Sequence, residues 1–150
     1  MSEHALDSAR EIFEADVASR LLGIEILALS AGHARTTMTV TSSMLNGHFI
    51  THGGYIFLIA DTTFALACNS HGKPNVAARA DIRYLRPTKA GDILIADAVE
   101  RARFGRNGIY DVTVTTGNQI VAEFRGDSRA IPARPANSRI RTLTRDRHSE

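Results

Sequence analysis

The chain has 150 residues, of which 43% are hydrophobic and 23% charged, a composition that fits one globular domain and excludes a disordered chain. No apolar run is long enough for a membrane span, and no basic stretch followed by an apolar one marks a signal peptide. Cys68 is the only cysteine, which excludes an intrachain disulfide. We therefore predict a cytoplasmic protein without a membrane partner.

The formal net charge of +2 is unevenly distributed. Residues 134–150 carry five arginines against one aspartate and one glutamate, a net charge of +3, whereas the other 133 residues have a net charge of −1. We predict a domain over residues 1–133 and a loose basic tail over residues 134–150. A nucleic-acid surface is the alternative for this tail, but solvated charged termini are commoner, so we expect no nucleic-acid partner.

The first predicted elements are a helix and a hairpin. Residues 5–21 carry apolar side chains near helical spacing. Residues 24–30 and 33–41 are rich in strand-forming residues. Residues 42–54, rich in Ser, Asn and Gly, are typical of a loop.

The next segment, residues 55–69, is almost continuously apolar. Such a run fits a buried strand or a buried helix, but its length and its alanines favour a helix over residues 55–69, and Gly72 followed by Pro74 prevents the helix from continuing. Apolar residues on every side predict burial on every side. Strand-like segments follow at residues 76–86, 92–104, 108–116 and 119–131. This order predicts an α+β fold in which an antiparallel sheet wraps around one long buried helix.

Asp61 is the unusual residue of this helix, because its turn neighbours are apolar. Aspartate is a poor helix former and is rarely buried without a partner. Either Asp61 makes a structural hydrogen bond or it has a function, since functional sites are where local rules are broken.

The helix follows directly on His52-Gly53-Gly54. A helix start offers unpaired N–H groups and the positive end of the helix dipole, and glycine lets a ligand approach the backbone closely. This suits a carbonyl oxygen that becomes negative during acyl transfer. Two glycines also make an ordinary tight turn.

Gly53 and Asp61 are too far apart to serve one carbonyl within one chain. They are separated by eight residues, which is about 12 Å along a helix. Two such helices that run antiparallel across a two-fold axis would bring Gly53 of one chain near Asp61 of the other. If both groups act, the active unit is a homodimer with two equivalent shared sites.

Several motifs occur together in the middle of the chain: Met44-Leu45-Asn46-Gly47-His48, His52-Gly53-Gly54, Leu58-Ile59-Ala60-Asp61-Thr62, Ile82-Arg83-Tyr84-Leu85-Arg86-Pro87 and Gly91-Asp92. Over residues 15–131 this pattern resembles the phenylacetyl-CoA thioesterases of the hotdog-fold superfamily. The Asn-Gly-His loop and the helical Asp are its specific parts, since related thioesterases often carry Glu at the helix position.

The resemblance implies hydrolysis of phenylacetyl-CoA, or a ring-hydroxylated relative, to the free acid and coenzyme A in phenylacetate degradation. It implies that Asp61 activates water or attacks the thioester, that the Gly53 N–H polarises the carbonyl, that Asn46 positions water or substrate, and that His52 shapes the loop. Taken as residues alone, Asn46 could equally form an Asx-turn and His52 a helix cap. Cys68 is interpreted as a core residue.

The resemblance also implies an acyl-CoA substrate, no separate cofactor, and a dimer of dimers. Coenzyme A carries phosphates, so basic and polar groups are candidates for its contacts: Gly54 beside the carbonyl, Arg83, Arg86 and Lys89 around a strand end, and Arg106 and Asn107 in a hairpin turn. No metal is expected, because the His and acidic residues lack compact ligand spacing.

Two other functions stay open. A hotdog hydratase or dehydratase would need a His–carboxylate pair at the substrate carbon, and His52 has no obvious partner acid in the sequence. A non-catalytic acyl-CoA-binding module could keep the fold without needing Asp61.

Overall fold

The computed structural model describes residues 3–133, so the predicted basic tail over residues 134–150 lies outside the described part. The helices are α1 (Glu3–Ala15), α2 (Val17–Leu21) and α3 (Gly53–Cys68), with a 3-10 turn at Ser42–Met44. The strands are β1 (Glu25–Ser30), β2 (His33–Thr39), β3 (Asn75–Tyr84), β4 (Ile93–Phe104), β5 (Asn107–Thr116) and β6 (Gln119–Ala130).

The six strands form one antiparallel sheet in the order β1-β2-β4-β5-β6-β3, and α3 packs against all six of them. Alternate residues of β4 and β5 are buried, as expected for strands with one face on a core. The predicted architecture, a sheet around one long helix, is confirmed. Among residues 3–133, no helix is both long and apolar enough to cross a bilayer.

Phe64 fixes the distance between α3 and the sheet. Its ring lies between those of Tyr110 and Phe124, with centroid distances of 5.6 and 5.8 Å. On the sheet side it rests on Gly126, where an added Cβ would lie 2.9 Å from three ring carbons. Only a glycine lets the helix approach β6 this closely.

One predicted helix is divided in two. The helix predicted over residues 5–21 is interrupted at Asp16, whose carboxylate caps α2 by accepting from the Ser19 N–H at 3.0 Å. The long helix, predicted over residues 55–69, runs from Gly53 to Cys68, and the Asn69 side chain donates to the Ala65 carbonyl at 2.8 Å at its C-terminal end.

The prediction that α3 is buried on every side is also wrong. Gly54, Leu58, Asp61 and Ala65 are exposed or only half-buried. Their spacing of four, three and four residues puts them on one face, here named the open stripe of α3. The sheet and α1 cover the other faces, and residues 3–133 contain no further element that covers this one.

Gly126→Ala should lower the free energy of unfolding by about 1–3 kcal/mol, because the new methyl group overpacks against a ring that is itself held by two other rings. Urea denaturation measures the change. Gly47→Ala is the matched control, because a Cβ there meets nothing within 4 Å. Equal stability of the two variants would contradict the close approach of α3 to β6 at Gly126.

Candidate active site

The first turn of α3 leaves one backbone donor free. His52 caps the helix, because its Nδ1 accepts from the Gly54 N–H at 2.9 Å and its carbonyl accepts from the Tyr55 N–H at 3.0 Å. The Gly53 N–H has no acceptor among residues 3–133. The helix dipole makes this position favourable for a negative oxygen. The Nδ1 atom of the His52 ring is occupied by this capping bond.

Tyr84 holds Gly53 in place, a role that sequence reasoning missed. Its hydroxyl donates to the Gly53 carbonyl at 2.9 Å. A Cβ added to Gly53 would lie 3.0 Å from the Tyr84 ring, so the ring occupies the space beside this glycine. The two residues are 31 positions apart, and no local pattern in the sequence connects them.

Asn46 organises the loop before the helix. Its side-chain oxygen accepts from the His48 and Ile50 N–H groups at 2.9 and 3.4 Å, and its own N–H donates to the Ile50 carbonyl at 2.8 Å. These bonds hold Phe49 in the left-handed region, with φ of 62°. The Asx-turn that the sequence allowed is therefore present. The Asn46 side-chain NH2 has no partner among the described residues and is available to a ligand.

Asp61 lies two turns further along, on the open stripe. Within residues 3–133 its carboxylate has no hydrogen-bond or ion-pair partner. Burial raises the pKa of Asp61 above its ordinary value of 3.8, and the nearby Asp16 carboxylate raises it further. A carboxylate with a raised pKa is a better proton acceptor, and such perturbed groups are concentrated at functional sites.

A hydrogen-bond chain fixes the helix turn that carries Asp61. The hydroxyl of the next residue, Thr62, bonds to the Ser19 hydroxyl at 2.7 Å, and that hydroxyl donates to Asp16. Both hydroxyl residues are buried. The acidic side chain of Asp16 is therefore held beside the helix rather than free to move away from Asp61.

The basic candidates fall into two groups at opposite ends of α3. Arg83, Arg86 and Lys89 belong to the segment that meets the N-terminal end, where the Thr51 N–H donates to the Thr88 carbonyl at 2.9 Å. Arg83 faces Asp81 at 3.7 Å, the Arg86 guanidinium donates to the Ile120 carbonyl at 3.0 Å, and the Lys89 backbone N–H donates to Asp92 at 2.9 Å.

The second basic group, Arg106 and Asn107, lies at the C-terminal end of α3, where both residues line a cavity together with Cys68. The structure therefore gathers Asn46, His52, Gly53 and Gly54 into one place but separates them from this pair. Cys68 is only 2% exposed, and burial raises its pKa to about 12, so its thiol is a core group. Among residues 3–133, no three His, Cys, Asp or Glu side chains could hold a metal ion.

The geometry of α3 agrees with two sequence comparisons. The family profile of the thioesterase superfamily matches residues 48–123, the range that contains both the free N–H and the unpartnered carboxylate. The acyl-coenzyme A thioesterase PaaI of Escherichia coli is 46% identical over 132 residues, which cover 87% of this chain and 94% of that protein. The chain belongs to the thioesterase superfamily.

Solved structures of this superfamily share the fold. The Escherichia coli PaaI protein from the phenylacetic acid degradation operon superposes with a TM-score of 0.84 and 44% identity, covering 87% of this chain and 96% of that one. A Streptococcus mutans protein bound to acetyl-CoA superposes with a TM-score of 0.71 and 30% identity, covering 75% of this chain and 91% of that one. The predicted hotdog architecture and the resemblance to the phenylacetyl-CoA thioesterases are confirmed.

Asp61→Asn should raise thermal stability at neutral pH. Because the folded state raises the pKa of Asp61, the ionised carboxylate destabilises the fold above that pKa, and a neutral amide removes this cost. The gain should shrink as the pH is lowered towards the ordinary carboxylate value of 3.8. Thermal denaturation of both proteins between neutral pH and the ordinary carboxylate pKa measures this gain in stability.

Asp111→Asn is the control, because its expected change in stability has the opposite sign to that of Asp61→Asn. The hydrogen bond from Arg125 holds the pKa of Asp111 below its ordinary value, so the variant should be less stable than the wild type at neutral pH. This difference should shrink in acid, because the wild type loses the contribution of the ionised Asp111 as the pH falls. A loss of stability for Asp61→Asn at neutral pH would show that the Asp61 carboxylate is stabilised after all.

Proposed function

We propose that this protein is a cytoplasmic acyl-CoA thioesterase that hydrolyses phenylacetyl-CoA, or a ring-hydroxylated relative, to the free acid and coenzyme A in phenylacetate degradation. The observation that carries the proposal is the pairing, on one helix, of a free N–H at Gly53 with an unpartnered half-buried carboxylate at Asp61. The similarity to a PaaI thioesterase from a phenylacetic acid degradation operon supports the substrate class.

Thioester hydrolysis needs one group that stabilises the negative charge on the carbonyl oxygen and one group that acts as a base or nucleophile. The Gly53 N–H donates a hydrogen bond to the thioester oxygen and stabilises the negative charge that develops there, aided by the helix dipole. Asp61 either takes a proton from the water that attacks the carbonyl carbon or attacks it directly, forming an anhydride that water then hydrolyses. In both routes the C–S bond breaks, and the thiolate of coenzyme A leaves and is protonated. Asn46 offers its free amide to the water or the substrate.

A second copy of this chain completes the site. Because Gly53 and Asp61 lie about 12 Å apart on one helix, the two groups that meet at a carbonyl come from antiparallel α3 helices of two subunits. The open stripe, which includes Asp61, is the face of α3 that such a partner helix would cover. β3 is an edge strand of ten residues, and a second copy could pair with it. The dimer of dimers stays a prediction from the family resemblance.

Asp61→Asn should lower thioesterase turnover by about 10²–10⁴-fold, the usual contribution of general base catalysis. The assay is free-thiol release from a panel of acyl-CoA substrates, with phenylacetyl-CoA and its ring-hydroxylated forms compared with straight-chain acyl groups. Near-normal turnover by this variant would remove Asp61 from the chemistry.

The same panel separates the rival functions. A wild-type protein that binds acyl-CoA but releases no thiol from any member is a binding module. One that hydrates an enoyl-CoA without releasing thiol is a hydratase. Thiol release from straight-chain members alone keeps the thioesterase and refutes the aromatic preference.

Gly53→Pro tests the polarising donor directly. Proline has no N–H, is favoured at the first position of a helix, and tolerates the extended ψ of 131° that His52 adopts before it. Turnover should fall by about 10²–10³-fold, the cost of one oxyanion donor. Gly53→Ala is the matched control, since it makes the same Cβ contact with Tyr84 but keeps the N–H.

Mixed dimers then test the shared site. In a heterodimer of Gly53→Pro and Asp61→Asn, one site receives both altered groups and the other receives two natural ones. Half of a random mixture is heterodimer, so about a quarter of wild-type activity should return. If the mixture stays inactive although mass spectrometry shows subunit exchange, Gly53 and Asp61 act within one chain.

A further inference from the structure

The loop that precedes α3 is closed at its base and open at its tip. Leu45 and Thr51 face each other across an antiparallel bridge, and the Thr88 hydroxyl donates to the Thr51 hydroxyl at 2.6 Å. Between them the Asn46 side chain accepts two backbone hydrogen bonds from the loop. These bonds hold the backbone of residues 47–50 in one conformation, while the residues themselves are exposed.

Phe49, at this tip, has an unfavourable backbone conformation. Its φ is 62°, and among residues 3–133 it is the only residue other than glycine with a positive φ. The side chain of an L residue crowds the backbone in this left-handed region, so a bulky residue there is an outlier. Such strain persists only where the surrounding structure imposes it, and it is concentrated at active sites and ligand contacts.

Packing within the subunit does not explain why this residue is a phenylalanine. Phe49 is 81% exposed, and its neighbour Ile50 is 36% exposed. A ring that stays in water gains nothing from the fold, whereas glycine would adopt the same φ without strain. The ring is apolar surface that a ligand can cover, since aromatic side chains bury large areas and pair with other rings.

The place of the loop in the candidate site indicates which ligand part it meets. The loop carries Asn46, which offers its amide to the water or the substrate, and it leads directly into Gly53. Phe49 is four residues from Gly53, a span of at most about 14 Å even for an extended chain, and the turn at Asn46 shortens it. Tyr84 already occupies the space on the Cβ side of Gly53. The group attached to a carbonyl at the Gly53 N–H is therefore within reach of the Phe49 ring.

We propose that Phe49 is a specificity-determining residue that packs its ring against the aromatic ring of the acyl group. The inference rests on the proposed function and adds to it the residue that selects the acyl group. Two aromatic rings attract each other in offset or edge-on arrangements, and a straight chain gains only the ordinary benefit of burial. Because the loop is held before the substrate arrives, binding does not have to order the backbone of Phe49.

Phe49→Gly tests this role in the full-length protein. The assay measures kcat/KM for phenylacetyl-CoA and for hexanoyl-CoA, a straight-chain substrate, by free-thiol release. We expect the ratio of the two values to fall about tenfold, because only the aromatic acyl group loses a ring contact. The thermal midpoint should not fall, because glycine adopts a φ of 62° without strain. A change in selectivity without a loss of stability distinguishes a substrate contact from a structural role.

Three further variants serve as controls. Phe49→Tyr keeps an aromatic ring and should keep the ratio. Phe49→Asn removes the ring but tolerates the left-handed region, so its ratio should fall as in Phe49→Gly. Phe104→Gly is the matched control, because it removes another exposed ring, at the end of β4 that pairs with Asn107, far from Gly53. This variant should leave the ratio unchanged.

Three results overturn the inference. If the preference for the phenylacetyl group survives in Phe49→Gly, the ring does not select the acyl group. If kcat/KM falls equally for both substrates, the residue acts on the loop or on Gly53 instead. If light scattering shows that Phe49→Gly dissociates at concentrations where the wild type stays associated, the ring belongs to a subunit interface. The wild type alone judges the proposed function, because thiol release only from straight-chain substrates refutes the aromatic substrate whatever the variants show.

Discussion

The structure depends on how closely α3 can approach the sheet. Phe64 rests directly on Gly126, and the rings of Tyr110 and Phe124 hold it from the sides. This contact fixes the position of the whole helix, because a helix of sixteen residues moves as a rigid unit. Both chemical groups of the candidate site, the free Gly53 N–H and the Asp61 carboxylate, belong to that unit. Their positions relative to the sheet follow from packing and not from loop conformation.

The open stripe shows the conflict between stability and chemistry in this fold. A cationic or hydrogen-bond-donating side chain beside Asp61 would stabilise its carboxylate and lower its pKa, which would weaken it as a base. The chain instead surrounds it with apolar neighbours and holds Asp16 beside it through the bond between Ser19 and Thr62. Natural proteins accept such local destabilisation at working sites and compensate for it elsewhere in the core.

Most of the fold could be predicted because local signals determine it. The long apolar run could only be a buried element, and the alternating segments after Gly72 could only be strands. Asp61 was identifiable because it breaks that apolar pattern. The contacts that complete the site could not be predicted in this way, because they join residues that are far apart in the sequence. Tyr84 meets Gly53 across 31 residues and Ser19 meets Thr62 across 43, and neither pair leaves a periodic trace in the sequence. The break at Asp16 was missed because a capping carboxylate and a helical one look alike in a sequence.

The ring of Tyr84 beside Gly53 also restricts the direction of approach. Because the ring fills the space where a Cβ would be, it blocks a substrate from approaching Gly53 on that side. A planar thioester has two faces. A ring on one side of the Gly53 N–H allows only one of these faces to point towards the attacking group. An acyl chain with a stereocentre next to the carbonyl would thus be oriented differently in its two mirror-image forms. An aromatic ring packed against a glycine therefore gives the site a handedness that an acyl group without a stereocentre would not reveal.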